Sequence, residues 1–202
     1  MLEKIVNEAK MTGVLATDFV FSNESFGTKL YEATLESRRR NGAADKNLIV
    51  IPEYLLDDSF KKGQKVKLNG EYRSHNYTGK DGKIHSKLYV YVTHIHTSSD
   101  EDENFVYLDG YICKKGKLKE TPRNYILVEA ILAVNRKYDK ADYIPCVFWY
   151  EDAKKVTQME VGTHLHVMGR VQSRDYEKTY PNGQKEARTA YEISVEEFAK
   201  VD

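Results

Sequence analysis

The feature that most constrains the fold of this chain is an internal repeat. The segment GQKVKLNGEYRSHNYTGKDGK (63–83) aligns by eye with GTHLHVMGRVQSRDYEKTYPNGQK (162–185). Upstream, YEATLESRRR (31–40) aligns in the same order with VEAILAVNRK (128–137). Three pairs keep the same interval between the copies: Gly63 and Gly162, Gly70 and Gly169, Tyr77 and Tyr176. Two long copies predict a duplicated domain, because a solenoid needs shorter and more numerous repeats.

The two copies are separated by SSDEDEN (98–104), a polar and acidic segment with no apolar residue, which is typical of a linker. We therefore predict an N-terminal domain at 1–97, an acidic linker at 98–104 and a C-terminal domain at 105–202. The chain as a whole has 31 basic and 31 acidic side chains. Its composition thus carries no global electrostatic signature of nucleic-acid binding.

Each copy has the pattern of four or five strands with one short helical segment between the third and the fourth. Mid-strand glycines, Gly70 and Gly169, indicate sharp bends of the kind found at barrel corners. The predicted class is all-β, with two tandem five-stranded Greek-key barrels of the OB type, whose second and third strands form a face for oligonucleotides. The predicted strands are 14–21, 29–38, 48–51, 64–77 and 87–95, then 105–113, 125–136, 143–150, 164–176 and 187–195. Residues 53–60 are predicted as a brief helix or turn and 151–159 as a helix, and residues 1–10 are either a short amphipathic helix or a loose end.

The stretch 133–150 combines aromatic and basic side chains in one predicted hairpin. Alternation along its second strand assigns Ile144, Cys146 and Phe148 to the core. The opposite face then carries Tyr143, Pro145, Val147 and Trp149, beside Arg136, Lys137, Tyr138 and Lys140. Rings and cations on one face suit a single-stranded nucleic acid, since bases stack on the rings and phosphates pair with the cations. The alternative is that Trp149 is half-buried packing at a domain or subunit contact.

Further candidate binding residues come from matching positions of the repeat. The long strand of the second copy carries Arg170, Arg174 and Tyr176 on one face, and Arg73 and Tyr77 stand correspondingly in the first copy. The basic run 38–40 of the first copy aligns with Arg136 and Lys137 of the second, and this repetition favours contact with phosphates. The remaining candidates are Arg38, Arg39, Arg40 and Tyr54.

Other chemistries have little support in the sequence. His94 with His96, and His164 with His166, could each place two imidazoles on one strand face, but no third ligand converges by sequence, so we predict neither a metal nor another cofactor. Cys113 and Cys146 make no disulfide framework. No Ser-His-Asp order, phosphate loop or paired carboxylates are apparent, and we predict that the protein is not an enzyme. Without an apolar run of about 18 residues or a signal peptide, a cytoplasmic, nucleoid-associated protein is expected.

The second half resembles the bacterial single-stranded DNA-binding proteins (SSB). The resemblance rests on VYLDGYI, EAILAVNR, ADYIPCVFWYEDAKKV and the segment 162–185, in the order typical of that family. The first half resembles the same family more faintly. The resemblance implies an OB fold in each half and binding of single-stranded DNA by stacking on Tyr143, Trp149, Tyr176 and, approximately, Tyr138.

Two departures from the family pattern matter. The first half has no Trp, since Lys46 aligns with Tyr143 and Pro52 with Trp149, so we expect it to stack bases less well. The sequence ends at Asp202 without the family's acidic, Phe-terminated tip, so recruitment of partner proteins by such a tail is not expected.

The predicted function is binding and protection of single-stranded DNA with little sequence specificity, in replication, recombination, repair or the transfer of plasmid or phage DNA. Family members with one OB domain commonly act as tetramers, so the resemblance implies a homodimer with four OB domains. The alternatives are an adaptor of the primosome type that mainly binds partner proteins, and an RNA-binding OB module. A nuclease is disfavoured because no carboxylate cluster is apparent.

Overall fold

The computed structural model describes residues 6–78, 82, 84–136, 140–179 and 183–201. In these residues the chain forms twelve β-strands and one α-helix. The first six strands are β1 (Asn7–Leu15), β2 (Val20–Ser25), β3 (Thr28–Arg38), β4 (Ala44–Pro52), β5 (Lys65–Thr78) and β6 (Ile84–Thr97), with a 3-10 helical turn at Glu53–Leu55. The second six are β7 (Glu103–Lys115), β8 (Lys119–Glu120), β9 (Ile126–Arg136), β10 (Lys140–Trp149), β11 (His164–Thr179) and β12 (Lys185–Lys200), and α1 (Tyr150–Gln158) follows β10.

Within the described residues, each half closes into a five-stranded barrel. In the first half, β1 pairs with both β3 and β5, β5 pairs with β6, β6 runs parallel to β4, and β4 returns to β3. The second half repeats this order with β7, β9, β10, β12 and β11. The short strands β2 and β8 extend β3 and β9. The prediction of two tandem OB-type barrels is therefore confirmed.

The two barrels share one continuous sheet, because β1 also pairs antiparallel with β7. Their register runs from Asn7 opposite Leu108 to Thr12 opposite Glu103. Asn7 holds the backbone of Tyr72 through two hydrogen bonds, and Asn104 holds Val171 in the same way. The repeat seen in the sequence is thus a structural repeat, related by an approximate twofold axis between β1 and β7.

The core follows the alternation of the strands. Ile144, Cys146 and Phe148 of β10 are fully buried, as predicted, and the ring of Phe148 packs edge-on against Phe198 at 5.4 Å between centroids. Helix α1 adds its two buried residues, Ala153 and Val156, to the same core. The predicted binding face lies on the side of β10 opposite to these buried residues.

The mid-strand glycines lie at β-bulges, in agreement with the sharp bends predicted at these positions. The ladder between β5 and β6 shifts at Gly70, and that between β11 and β12 shifts at Gly169. A Cβ on either glycine would lie 2.3 Å from a carbonyl oxygen of the paired strand, that of Tyr91 or Ser194. Only glycine therefore permits the close approach of the two backbones at these corners.

The predictions for the first residues were wrong. Asn7–Lys10 belong to β1 and not to a helix or a loose end, because both β5 and β7 pair with this segment; residues 1–5 lie outside the described part. The predicted strand 14–21 is broken, since β1 ends at Leu15 and β2 begins at Val20. Strand β7 begins at Glu103, inside the segment predicted as linker. No helix of the described residues is long and apolar enough to span a membrane.

Candidate nucleic-acid interface

The predicted binding face of the second barrel is the outer face of β9 and β10. Tyr143 stands opposite Ala133 near one end of this pair, and its side chain is 47% exposed. Trp149 stands opposite Leu127 at the other end and is partly buried. Between them Pro145 is partly buried and Val147 is buried. The open ring surface of the face therefore lies at its two ends.

Trp149 belongs to a cluster of three rings, which we call the aromatic cluster: Tyr125, Trp149 and Tyr150. The ring of Tyr125 meets Trp149 edge-on at 6.4 Å and Tyr150 edge-on at 6.1 Å. The indole N–H of Trp149 donates a hydrogen bond of 3.1 Å to Ser194 Oγ. Trp149 is thus packed in part against residues of its own barrel and not at a contact between the barrels, while both tyrosines are exposed.

The surroundings of the aromatic cluster are acidic. A shallow depression beside Trp149 is lined by Glu151, Asp152 and Glu196 together with Phe148, Tyr150 and Val195. Two of these carboxylates are paired on α1, Glu151 with Lys154 at 2.6 Å and Asp152 with Lys155 at 2.8 Å. The cluster therefore offers ring surface and little positive charge.

Positive charge lies at the opposite end of β10, where Lys140 is exposed. Its ammonium stands 6.0 Å from the ring centroid of Phe26, at the tip of the hairpin between β2 and β3. Phe26 is 98% exposed and has a left-handed backbone, with φ of 49°. The exposed ring of Phe26, which belongs to the first barrel, therefore lies beside Lys140 on the face of the second barrel.

Four predicted cations are held by carboxylates. Arg136 lies 3.3 Å from Asp142, Arg39 donates to Asp45 at 2.7 Å, and Arg170 of the second barrel reaches Asp45 of the first at 3.3 Å. Arg73 pairs with Glu71 and stands 5.7 Å from the ring centroid of Tyr91. Burial, with the neighbouring Arg39, lowers the pKa of Arg170, and burial raises the pKa of Asp142.

These carboxylates take part in reciprocal contacts between the barrels. The backbone N–H of Ser74 donates to Asp142 at 2.7 Å, and the backbone N–H of Tyr143 donates to Ser74 Oγ at 2.8 Å. In the other direction, the backbone N–H of Lys46 donates to Ser173 Oγ at 3.3 Å. Lys46 and Tyr143 therefore occupy equivalent positions, as aligned, and the contacts fix the two binding faces relative to each other.

The other predicted residues are spread over the surface. Arg38 and Arg40 are exposed at the end of β3 and in the turn after it, and the backbone N–H of Arg38 donates to Asp102 at 2.7 Å. Arg174 is exposed on β11. Tyr54 is exposed, and Tyr77 is exposed and stacks on His85 at 5.6 Å. Lys137 and Tyr138 lie outside the described residues, as does the side chain of Tyr176.

Sequence reasoning missed three exposed rings of this surface. Tyr150 could have been found, because it completes the run Phe148-Trp149-Tyr150 at the end of β10. Tyr125 and Phe26 carry no local signal, since each joins the face through residues distant in the sequence. It also missed Asp109, which meets both His164 and His166 on the outer face of β7 and β11, so the expectation that no third ligand converges was wrong.

Comparison with known proteins finds a sequence match for the second barrel. The model of the single-strand binding protein family matches residues 103–201. Single-stranded DNA-binding protein 1 of Lactococcus lactis is 34% identical over 89 residues, which are 41% of this chain and 58% of that protein. Single-stranded DNA-binding protein 3 of Listeria innocua is 37% identical over 81 residues, 37% of this chain and 51% of that protein. The chain thus spans between half and three fifths of the length of these relatives.

The solved structures extend the likeness in fold to the whole chain. The wild-type single-stranded DNA-binding protein of Thermus aquaticus superposes with a TM-score of 0.74 at 18% identity, over 98% of this chain and 93% of that one. A deletion mutant of the same protein gives 0.76, again at 18% identity, over 97% and 94%. At this identity the likeness establishes the tandem OB architecture. Residues 103–201 thus match the single-strand binding protein family by sequence, while the solved structures show the fold alone.

Proposed function

We propose that the protein binds single-stranded DNA with little sequence preference, by stacking bases on aromatic side chains and pairing phosphates with exposed cations. The observation that carries the proposal is the outer face of β9 and β10. It exposes Tyr143 at one end and the aromatic cluster at the other. This face belongs to the half that matches the family, whose relatives are named for single-stranded DNA binding.

The contacts divide the candidate residues into three groups. Tyr143, Trp149 and the two other rings of the aromatic cluster are assigned to stacking, because a ring needs an open face but no reading of base edges. The exposed cations Lys140, Arg38 and Arg40 are assigned to phosphates, and Arg174 stays a candidate because its side chain is exposed. Arg39, Arg73, Arg136 and Arg170 are assigned to holding the structure, since carboxylates already engage them.

We assign the first barrel fewer of the contacts to the single-stranded DNA. Its equivalents of Tyr143 and Trp149 are Lys46 and Pro52, which offer no aromatic ring. Tyr54 and Tyr77 are its exposed rings among the predicted residues. Tyr176 and Tyr138 remain candidates of the second barrel by the family resemblance.

A fluorescence titration tests the proposal. Trp149 is the only Trp of the chain, so its emission reports on the proposed face. Unstructured oligo-dT should quench it, and the affinity should fall as salt rises, because phosphate contacts release counterions. Duplex DNA of the same length is the control and should quench much less. Absence of both quenching and a shift on a native gel at low salt would refute nucleic-acid binding and favour the adaptor function, and tighter binding of oligo-rU would favour an RNA-binding module.

The proposal extends to the setting of the protein. We place it among proteins that coat DNA during replication, recombination, repair or plasmid or phage transfer, in the cytoplasm at the nucleoid, with no catalytic activity of its own. The proposed domains are the N-terminal domain 1–97 and a C-terminal domain that begins with β7 at Glu103, two residues before the predicted 105–202, so that the acidic linker is 98–102 in place of the predicted 98–104. Partner proteins are not assigned.

We also propose that two chains form a homodimer with four OB domains. The support is the family resemblance, which implies four barrels in one functional unit, and the presence of two barrels in each chain. Linking sites raises the effective concentration of each next contact along one strand. Light scattering at micromolar concentration should give twice the chain mass of 23.3 kDa. The mass of a single chain, with and without oligo-dT, would refute the dimer.

A further inference from the structure

We propose that Asp109, His164 and His166 form a binding site for a divalent transition-metal ion of the zinc class. The three side chains lie on the outer face of the second barrel, where β7 pairs with β11. This site is separate from the proposed DNA face on β9 and β10, and the inference does not depend on the proposed function.

The backbone brings the three residues together. In the register of β7 and β11, Asp109 stands directly opposite His166, and Tyr111 stands opposite His164. One potential ligand atom from each of Asp109, His164 and His166 lies within 4.8 Å of the others. His164 Nε2 contacts Asp109 Oδ1, and His166 Nε2 lies 3.3 Å from Asp109 Oδ2. The potential donor atoms of the three side chains therefore lie close together, around the carboxylate of Asp109.

The burial of the cluster suits a metal that enters from solvent. The carboxylate of Asp109 is 6% exposed, while the side chains of His164 and His166 are 19% and 34% exposed. His166 Nε2 is buried and accepts or donates no hydrogen bond within the described residues. A buried polar atom without a hydrogen bond costs free energy, and a metal ion would satisfy it.

The donor set selects the class of ion. Imidazole suits Zn²⁺, Cu²⁺, Ni²⁺ and Fe²⁺, whereas Mg²⁺ and Ca²⁺ prefer oxygen ligands alone. Two imidazoles and one carboxylate leave a further coordination position for water, as in sites with three protein ligands. The ring of Tyr111 stacks on His164 at 4.4 Å and that of Tyr107 lies 5.7 Å from His166, so neighbouring rings hold the imidazoles in place.

The first barrel supplies an internal comparison. At the equivalent positions β1 and β5 carry Thr12, Lys65 and Lys67, with Thr12 opposite Lys67. There the ammonium groups pair with linker carboxylates, Lys65 with Asp102 at 2.7 Å and Lys67 with Asp100 at 2.9 Å. The barrel itself therefore does not require two histidines and an aspartate at this place. Their convergence is a property of the second barrel.

The probe for the test is Zn²⁺, with Co²⁺ as its spectroscopic substitute. Titration calorimetry of the metal-free full chain with Zn²⁺ should show one ion bound per chain. Visible d–d bands of Co²⁺ should report coordination by nitrogen and oxygen. Because a metal that binds the folded state stabilises it, the melting midpoint should rise by about 5–10 °C when free Zn²⁺ reaches about a hundred times the dissociation constant.

Variants locate the ion. H164Q/H166Q replaces the two partly exposed ligands, and D109N replaces the buried ligand with a side chain of the same shape. Each variant should weaken Zn²⁺ binding by at least about tenfold, because even residues that only support metal ligands contribute that much to metal affinity. The control is H94Q/H96Q, which removes the other His-x-His pair, exposed on β6. It should bind Zn²⁺ like the original chain. Either variant is informative when its circular dichroism spectrum matches that of the original chain, and the two together test the site from both the imidazole and the carboxylate side.

Three results would overturn the site. Zn²⁺ at a hundred micromolar could fail to bind, which would leave His164 and Asp109 as an ion pair only. Uptake could persist unchanged in H164Q/H166Q, or it could disappear in H94Q/H96Q, and either result would place the ion elsewhere. Loss of uptake in H164Q/H166Q with retention in H94Q/H96Q, together with an unchanged circular dichroism spectrum, would establish it.

Discussion

Two tyrosines of similar exposure test the binding face at the scale of single residues. Tyr143, 47% exposed, stands on the proposed DNA face of β10, and Tyr111, 40% exposed, stands on the outer face of β7. Base–aromatic stacking contributes about 1–3 kcal/mol per base. We therefore expect Tyr143→Ala to weaken oligo-dT binding by about that much, while Tyr111→Ala leaves it unchanged.

The measurement is fluorescence anisotropy of a labelled oligo-dT, so that Trp149 is not needed as the reporter. Tyr143→Ala keeps the backbone N–H that donates to Ser74, and the contact between the barrels should survive the substitution. If Tyr111→Ala weakened binding more than Tyr143→Ala, the DNA face would lie on β7 and β11 and the present assignment would be wrong.

The residue scale also shows where sequence reasoning stops. Period-two alternation was enough to place Phe148 in the core, because burial along one strand is a local pattern. Pairing is not local: Arg170 finds its carboxylate, Asp45, in the other barrel. Whether a surface cation is open to phosphates or engaged by a carboxylate therefore depended on contacts that only the folded chain shows.

At the scale of elements, the bulge in β11 makes a sharp prediction. A Cβ on Gly169 would lie 2.3 Å from the carbonyl oxygen of Ser194, so Gly169→Ala must push β11 and β12 apart. Overpacking of this kind costs about 1–3 kcal/mol or more. Gly116→Ala is the matched control, since its Cβ would meet only the carbonyl oxygen of Glu129, at 3.4 Å.

Urea unfolding followed by circular dichroism measures both variants. Gly169→Ala should lower the free energy of unfolding by an amount in that range, and Gly116→Ala should change it little. Equal stabilities of the two variants would contradict the requirement for glycine at the corner of the second barrel.

Most strands could be predicted because their alternation and their turns are local signals. The predicted strands of the second barrel agree best with the structure, where β11 begins at His164 as predicted. Strand β1 failed for a physical reason. Residues before Thr12 have too few β-branched side chains to indicate a strand, and pairing with β5 on one side and β7 on the other fixes them instead.

At the scale of the whole molecule, the repeat predicted two similar barrels but not how they join. The antiparallel pairing of β1 with β7 makes one sheet of both, and the carboxylates of Asp45 and Asp142 lie at equivalent places between the barrels. Nothing in a single strand pattern specifies such pairing. It arises because β1 and β7, the first strands of the two copies, each have an edge that is free to pair, and these two edges pair with each other.

The carboxyl of Asp142 makes the joined molecule sensitive to pH. Burial between the barrels raises its pKa above the ordinary 3.8, although the N–H of Ser74 and the guanidinium of Arg136 oppose the shift. Between 3.8 and the raised value, the folded protein holds a proton that the unfolded chain has lost. In this window the Asp142 contribution to the free energy of unfolding falls as pH rises, and the full cost of the ionised group remains at higher pH.

Comparison with Asp142→Asn isolates this contribution, because asparagine cannot ionise and still offers an oxygen to the N–H of Ser74. We expect the stability of the variant relative to the original chain to increase as pH rises from about 4 to about 7. Asp57 supplies the opposite sign, since hydrogen bonds from Ser59 lower its pKa below 3.8, so the relative stability of Asp57→Asn should fall as pH rises through the interval just below 3.8 and stay nearly constant above it. Urea unfolding at a series of pH values measures both differences. A relative stability of Asp142→Asn that stayed flat or fell with rising pH would show that the contacts from Ser74 and Arg136 outweigh the burial of the carboxylate.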